Sequence, residues 1–209
     1  MSRLEQIEQV YRAHHEARRP KDFVFCGPER MEIFREWVGT GGRVLDVGCR
    51  FGALTRAYVE GNQVVGIDVD REALAEAAKL GIETVWADAA EPFPLDDESF
   101  DVVVLGELLE HLPMPECTVA EARRVLRPGG RLVGSVPNAF RLKSRLFFLA
   151  GRPPESDPTH LHLFSPAAVR ELLADFDQVH LRFVAGRLTR LQPRLFANDI
   201  CFRGRKPLR

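Results

Sequence analysis

The feature that most constrains this chain is an alternation of short β-branched runs with helix-length amphipathic segments across its middle. Runs near Arg43–Val47, Gln63–Asp68, Glu83–Ala87, Asp101–Leu105 and Arg131–Val136 are almost continuously apolar, as strands buried on both faces must be. Between them, Arg71–Leu80 and Glu116–Leu126 carry apolar residues at helical spacing. Asp70 is placed to cap the first, and Arg127-Pro128-Gly129-Gly130 stops the second. Strands interleaved with helices predict an α/β fold with a mostly parallel sheet and crossover helices. Two later runs, Gln178–Val184 and Phe196–Phe202, are expected to finish a seven-stranded sheet as an antiparallel edge pair. Helices are expected over Met1–Arg19 and Glu29–Val38, ahead of the first strand.

With 209 residues the chain is expected to form one domain. Its parts are N-terminal helices (1–40), a core (41–136), an insert (137–165), and a C-terminal helix with strands (166–209). Apolar residues at 45% and charged residues at 28% are ordinary for a packed protein, so disorder is not the expectation. No apolar run reaches the roughly 18–20 residues of a membrane helix, which predicts no stable membrane insertion. The polar, mixed-charge start predicts no secretory leader. Cys26, Cys49, Cys117 and Cys201 lie far apart, which argues for reduced thiols and a cytoplasmic location. Residues 1–122 hold 12 basic and 24 acidic side chains, whereas residues 123–209 hold 17 and 6. Such a basic half can attract anions, or the two halves can neutralise one another across the surface.

In an open α/β sheet, ligands bind beyond the carboxyl ends of the strands. Gly48 and Gly52 follow the first strand there, in the turn Asp46-Val47-Gly48-Cys49-Arg50-Phe51-Gly52, where a bare Cα lets backbone approach a ligand. The second strand ends in Asp68 and the third is followed by Asp88, so carboxylates stand at three successive strand ends. Asp68 is positioned to accept two hydrogen bonds from ribose hydroxyls. A dinucleotide fingerprint would need glycine where the chain has Arg50 and Ala53. A phosphate-binding loop, a nucleophile elbow and a zinc helix are also missing from the sequence.

VLDVGCRFG, VVGIDVD, WADA, FPLDDESFDVVVLGELLEHL and RVLRPGGRLVGSVPN together resemble the successive motifs of class I S-adenosylmethionine-dependent methyltransferases over about residues 43–138. The resemblance implies a Rossmann-like sheet and S-adenosylmethionine as cofactor, with S-adenosylhomocysteine as product. It implies that Asp46, Gly48 and Gly52 surround the methionine end of the cofactor, with Cys49 and Arg50 in the same cofactor-binding turn. It further implies that Asp68 and Val69 meet the ribose, Asp88 and the Ala89 amide read the adenine, and Leu105-Gly106 faces the methionine. Arg50 replaces a glycine usual in that family. If its backbone needs positive φ, arginine costs of order 1 kcal/mol relative to glycine. Its side chain either points to solvent or reaches the cofactor carboxylate.

After the fourth strand comes Glu107-Leu108-Leu109-Glu110-His111, in which a helix would place Glu107 on one face with Glu110 and His111. This resembles ubiquinone-biosynthesis O-methyltransferases and the enzymes that 2′-O-methylate the 3′ ends of small RNAs. Both pair such a motif with a later histidine, here His160 or His162. That likeness would put a divalent cation on Glu107, Glu110, His111 and His160; the expectation is a polar helix start lining the pocket, without metal. His111 is the candidate general base, with Glu107 or Glu110 orienting it.

The stretch 137–165 is too long for an ordinary connection, so it is expected to form the acceptor pocket and lid. Within it, Arg141–Leu149 is a basic helix candidate with Leu142, Leu146 and Leu149 on one stripe, and Phe140, Phe147, Phe148 and Phe164 are expected to pack that lid. Pro137-Asn138, Arg145-Leu146 and Gly151-Arg152-Pro153-Pro154 resemble MetW-like proteins, which associate with a partner acyltransferase. The leading expectation is methyl transfer to a small-molecule acceptor, with oxygen favoured. The alternatives are a metal-assisted RNA 2′-O-methyltransferase and a cofactor-binding regulatory subunit. The sequence leaves the oligomeric state open.

Overall fold

The computed structural model describes residues 2–16, 24, 27–154, 157–186 and 188–208. A seven-stranded sheet is built from β1 (Arg43–Val47), β2 (Gln63–Asp68), β3 (Glu83–Trp86), β4 (Phe100–Gly106), β5 (Leu126–Pro137), β6 (Asp177–Val184) and β7 (Asp199–Arg205). Its order is β3-β2-β1-β4-β5-β7-β6. The first five strands pair in parallel, and β7 runs antiparallel between β5 and β6. The chain leaves β1 for β2 on one side and returns to β4 on the other. That reversal opens a crevice at the carboxyl ends of β1 and β4.

The expected strands are present, with two differences at their ends. β5 starts at Leu126, immediately after α4 (Pro115–Val125), and the Pro-Gly-Gly stretch bulges out, so the register jumps from Phe100–Leu126 to Val102–Arg131. β7 starts at Asp199, because Pro193–Phe196 takes a helical turn (α7) that proline at its first position favours. Alternate residues of the parallel strands feed two cores. Leu45, Val103 and Leu105 face α4 and α6 (Pro166–Leu172), whereas Val44, Val102 and Val104 face Phe34 and Trp37 of α2 (Gly27–Val38). Asp70 caps α3 (Arg71–Ala78) as expected, accepting from the amides of Glu72 and Ala73.

The first helix, α1 (Arg3–Glu16), lies across the carboxyl edge of the sheet and is held there by charge. Arg12 reaches Asp70 at 3.0 Å, and Glu8 takes the Arg71 guanidinium at 2.8 and 3.1 Å, which holds the Glu8 carboxyl below its ordinary pKa. The parts of the expected helix at Met1 and residues 17–19 lie outside the described residues. In the insert, α5 (Leu142–Leu149) forms as expected, but its apolar stripe is not packed: Leu146 is 54% and Leu149 85% exposed. The aromatic lid is corrected likewise. Phe164 joins the main core and Phe147 is half-buried, whereas Phe140 and Phe148 are exposed.

Candidate functional site

Backbone bonds weld the turn after β1 to the end of β2: the amides of Gly48 and Cys49 both donate to the Ile67 carbonyl, at 2.8 and 3.1 Å. Arg50 then adopts φ +46°, the left-handed region that the expected strain required. That conformation aims its amide at Asp68, whose Oδ2 accepts it at 2.9 Å, while Oδ1 accepts from the Asp70 amide at 2.9 Å. Asp68 is thus fixed by two backbone donors. Burial raises its pKa, and those two amides oppose the rise.

These residues line one cavity with Val69, Asp88, Ala89, Gly106, Glu107, Leu108 and His111. Tyr11 of α1 closes it from above, and its phenol is held above the ordinary pKa by burial and by Asp88, Asp68 and Glu110. The cavity's lining suits S-adenosylmethionine: a buried carboxylate at the end of β2, a second after β3, and a wall of bare glycine. A Cβ on Gly48, itself at φ +78°, would come within 3.1 Å of the Leu108 side chain on the same wall.

Not every expected residue faces this cavity. Asp46 sits behind the turn and accepts from the hydroxyls of Thr55 (2.6 Å) and Tyr58 (2.7 Å), both on Oδ2. Burial pushes its pKa up to about 6. Gly52 also lies behind, where a Cβ would meet Leu80 at 2.7 Å.

The segment after β4 departs from the expected helix. Glu107 takes φ +55°, its amide donates to the Ser135 carbonyl, and only Leu109–His111 forms a 3-10 turn. Glu107 therefore does not share a helical face with Glu110 and His111. It turns to Arg30, whose guanidinium Nη1 lies 2.9 Å from Glu107 and 3.8 Å from Asp199, and donates to Ser135 Oγ at 3.1 Å. Glu110 is 1% exposed, and burial, with Glu107 adding to it, drives its carboxyl well above the ordinary pKa.

His111 is held by the insert. Its Nδ1 lies 3.0 Å from Thr159 Oγ1, and that hydroxyl donates to Asp157 Oδ1 at 2.7 Å. His160 stacks edge-on at 4.8 Å between ring centroids. Glu110, His111 and His160 each offer a ligand atom within 4.8 Å of the others; Glu107 is not of this group. A second pocket, lined by Glu107, Asn138, Arg141, Asp157 and His160, adjoins the first at Glu107.

Arg30, Thr159, Asp157 and Asp199 were not singled out from the sequence. Arg30 did leave a signal: it stands in register with Ile33, Phe34 and Trp37 on the apolar stripe of α2, where a cation needs a buried partner. Thr159 and Asp157 left a weaker one in the Asp-Pro-Thr turn beside His160.

A family described as a methyltransferase domain matches residues 45–134. The chain is 32% identical over 170 residues to a ubiquinone biosynthesis O-methyltransferase of Photobacterium profundum, covering 74% of this chain and 71% of the relative. A ubiquinone biosynthesis O-methyltransferase of Hahella chejuensis is 38% identical over 135 residues, covering 59% of this chain but only 55% of the relative. Among solved structures, a SAM-dependent methyltransferase from Archaeoglobus fulgidus superposes with a TM-score of 0.67 at 21% identity, over 84% of this chain and 92% of that one. The described residues contain no helix long and apolar enough to cross a membrane. Cavity, strand order and kinship agree: the chain belongs to the class I S-adenosylmethionine-dependent methyltransferases, and it is an enzyme of that family.

Proposed function

We propose that the enzyme methylates an oxygen of a small-molecule acceptor held in the pocket of residues 137–163, with His111 as general base. The observation that carries this reading is the Asp157–Thr159–His111 chain. Thr159 has one hydroxyl proton and gives it to Asp157, so toward His111 its oxygen accepts. Nδ1 then carries the imidazole proton and Nε2 presents its lone pair. Thr159 and Asp157 take the orienting role that the sequence reading gave to Glu107 or Glu110.

Bound S-adenosylmethionine supplies a sulfonium-activated methyl group, so the protein need not build an electrophile. In this reading Asp68 holds the ribose hydroxyls, Asp88 and Ala89 hold the adenine, and Gly48 with Gly106 leaves room for the methionine moiety. The remaining work is proximity and orientation of the acceptor, and removal of its proton at Nε2. The relatives' names support oxygen as acceptor atom. Exposed Leu146, Leu161 and Leu163 on the insert give the acceptor side an apolar rim. Arg131, Arg203 and Arg205 gather at the opposite edge of the sheet, which supports a small acceptor over an RNA strand.

The test uses a panel of phenols and catechols with labelled cofactor. His111→Ala should lower turnover about 10²–10⁴-fold while S-adenosylmethionine affinity holds; turnover equal to the parent's removes the assignment. A second reading rests on the clustering of Glu110, His111 and His160, in which both buried Glu110 oxygens lack a hydrogen-bond partner. These residues would hold a divalent cation, which supplies Lewis-acid activation of the acceptor hydroxyl. Loss of turnover on chelation, restored by magnesium, manganese or zinc in the parent but not in His160→Ala, selects the cation; indifference to chelator selects the base.

A further inference from the structure

At the amino ends of β1 and β4, a full strand length from the cofactor cavity, the sheet carries a concave cluster of cations: Arg127, Arg131, Arg203, Arg205 and His180. Strand register puts them together. Arg131 of β5 lies directly opposite Arg205 of β7, and Arg203 lies opposite His180 of β6. Residues facing one another across a pair share a face, as do residues two apart along a strand. Arg131, Arg203, Arg205 and His180 therefore project from one side of the sheet, beside α2.

Of the acids beside the cluster, Asp177 of β6 stands opposite Arg205 in the strand register, and Asp101 is already committed. Asp101, the acid in the pocket wall, receives Arg127 at 2.6 Å on one oxygen and the Arg43 amide at 2.8 Å on the other. Arg131 and Arg205 spend hydrogen bonds on the carbonyls of Val38 and Gly129, which anchor their stems without neutralising charge. Arg203 lies over the Trp37 ring at 5.3 Å. Burial and the neighbouring Arg203 and Arg205 hold the Arg131 guanidinium below its ordinary pKa. Like charges placed directly opposite in a sheet, as Arg131 and Arg205 are, cost stability. The tight turn at Gly129, with φ +76°, forms the end wall, where a Cβ would press on Leu208 and Arg205.

We infer that this arginine pocket is a second ligand site, separate from the methyl-transfer centre, that binds a multiply charged phosphate group such as a pyrophosphate. Guanidinium groups lining one concave pocket match the oxygens of such an anion by paired donors and by charge. The site is too far along the strands for its ligand to be the methyl acceptor, by roughly 17–20 Å at 3.3 Å per residue. The ligand therefore acts on stability or regulation, and the inference stands whether or not His111 is the base.

The experiment compares the parent with Arg205→Gln and Arg131→Gln, exposed substitutions that keep a hydrogen-bonding side chain. Thermal unfolding is followed with inorganic pyrophosphate, orthophosphate, sulfate at matched ionic strength, and a single-stranded RNA oligonucleotide. Pyrophosphate at 100 times its Kd should raise the parent's Tm by about 5–10 °C. The same addition should do little in either variant, and sulfate should do less than pyrophosphate in the parent. Without anion, each variant should melt close to the parent's temperature, because relief of the like-charge contact offsets the lost hydrogen bond to a carbonyl. Equal shifts in parent and variants, or equal shifts with sulfate, overturn the proposal as an ionic-strength effect. RNA binding lost in the variants without any pyrophosphate effect overturns it in favour of a nucleic-acid surface. S-adenosylmethionine affinity, measured in the same variants, should not change.

Discussion

Arg50 offers the sharpest test of how the cofactor turn is built. A non-glycine residue at φ +46° carries a left-handed penalty of roughly 1–2 kcal/mol, and glycine does not. Glycine in turn gives the unfolded chain more freedom, worth about 0.4–1 kcal/mol against it. The Arg50→Gly variant should therefore exceed Arg50→Ala in stability by about 0.5–1 kcal/mol, or about 1–4 °C in Tm for a chain of this size. Both variants lose the guanidinium that sits 5.5 Å over the Phe51 ring, an interaction worth about 0.5–1 kcal/mol at such a site. Arg50→Ala should thus fall below the parent, and Arg50→Gly should stay close to it. Both keep the amide that Asp68 accepts, so the comparison isolates the backbone. Urea unfolding with constant slope measures it. An alanine variant as stable as the glycine variant would refute the strain argument. Cofactor titrations divide the roles further: an affinity loss common to both variants belongs to the side chain, and a difference between them belongs to the turn.

Four further outcomes follow from the same geometry. Asp68→Ala should weaken S-adenosylmethionine binding by about 10–100-fold in calorimetry, the size expected for losing hydrogen bonds to a charged acceptor; unchanged affinity would remove Asp68 from the site. Thr159→Val should lower kcat with little change in cofactor Kd, since His111 Nδ1 loses its nearer acceptor on Thr159 and keeps the Thr159 carbonyl at 3.3 Å; equal loss of kcat and of cofactor affinity would mean that Thr159 only shapes the cavity. Asp46 has its pKa raised to about 6 in the fold against 3.8 in the free group, so its contribution is fully present below about pH 3.8 and is lost as pH rises through about 6. Asp46→Asn keeps an oxygen for Thr55 and Tyr58, so its stability relative to the parent should be higher at pH 7.5 than at pH 5, and a pH-independent difference would contradict the burial account. Arg30→Met removes the cation beside the buried carboxylates of Glu107 and Asp199 and should cost about 3–5 kcal/mol, read as a drop of about 6–20 °C in Tm.

The sheet was legible because its signals are local. β-branched runs buried on both faces, a capping Asp70 and the Pro-Gly-Gly stop each mark an element without reference to the rest of the chain. The three carboxylates were legible as strand-end residues, yet only two reach the cavity: Asp46 has hydroxyl partners nine and twelve residues onward that turn it inward. The Glu107–His111 segment misled for the opposite reason. Its spacing suits a helix, but Glu107 is drawn out of helical geometry by the Ser135 carbonyl on β5 and by Arg30 on α2, both remote in sequence. The hold on His111 was invisible for the same reason, since Thr159 lies 48 positions away.

Arg50 and Glu107 share an unusual property: both are non-glycine residues in the left-handed region, and both stand on the wall of the cofactor cavity, one after β1 and one after β4. Conformations of that kind persist only where surrounding structure over-determines them. At Arg50 the determining contact is its own amide on Asp68; at Glu107 it is the amide on Ser135 together with the Arg30 ion pair. The two positions differ in what relief would do. Glycine at 50 releases strain and leaves the Asp68 contact in place. Glycine at 107 releases strain but also removes a carboxylate that balances Arg30 and raises the pKa of Glu110. Glu107→Gly should therefore bring Glu110 closer to an ordinary carboxylate while taking from Arg30 the carboxylate at 2.9 Å. If strain alone mattered, the two glycine variants would behave alike; the charge around Arg30 predicts that only the second loses stability.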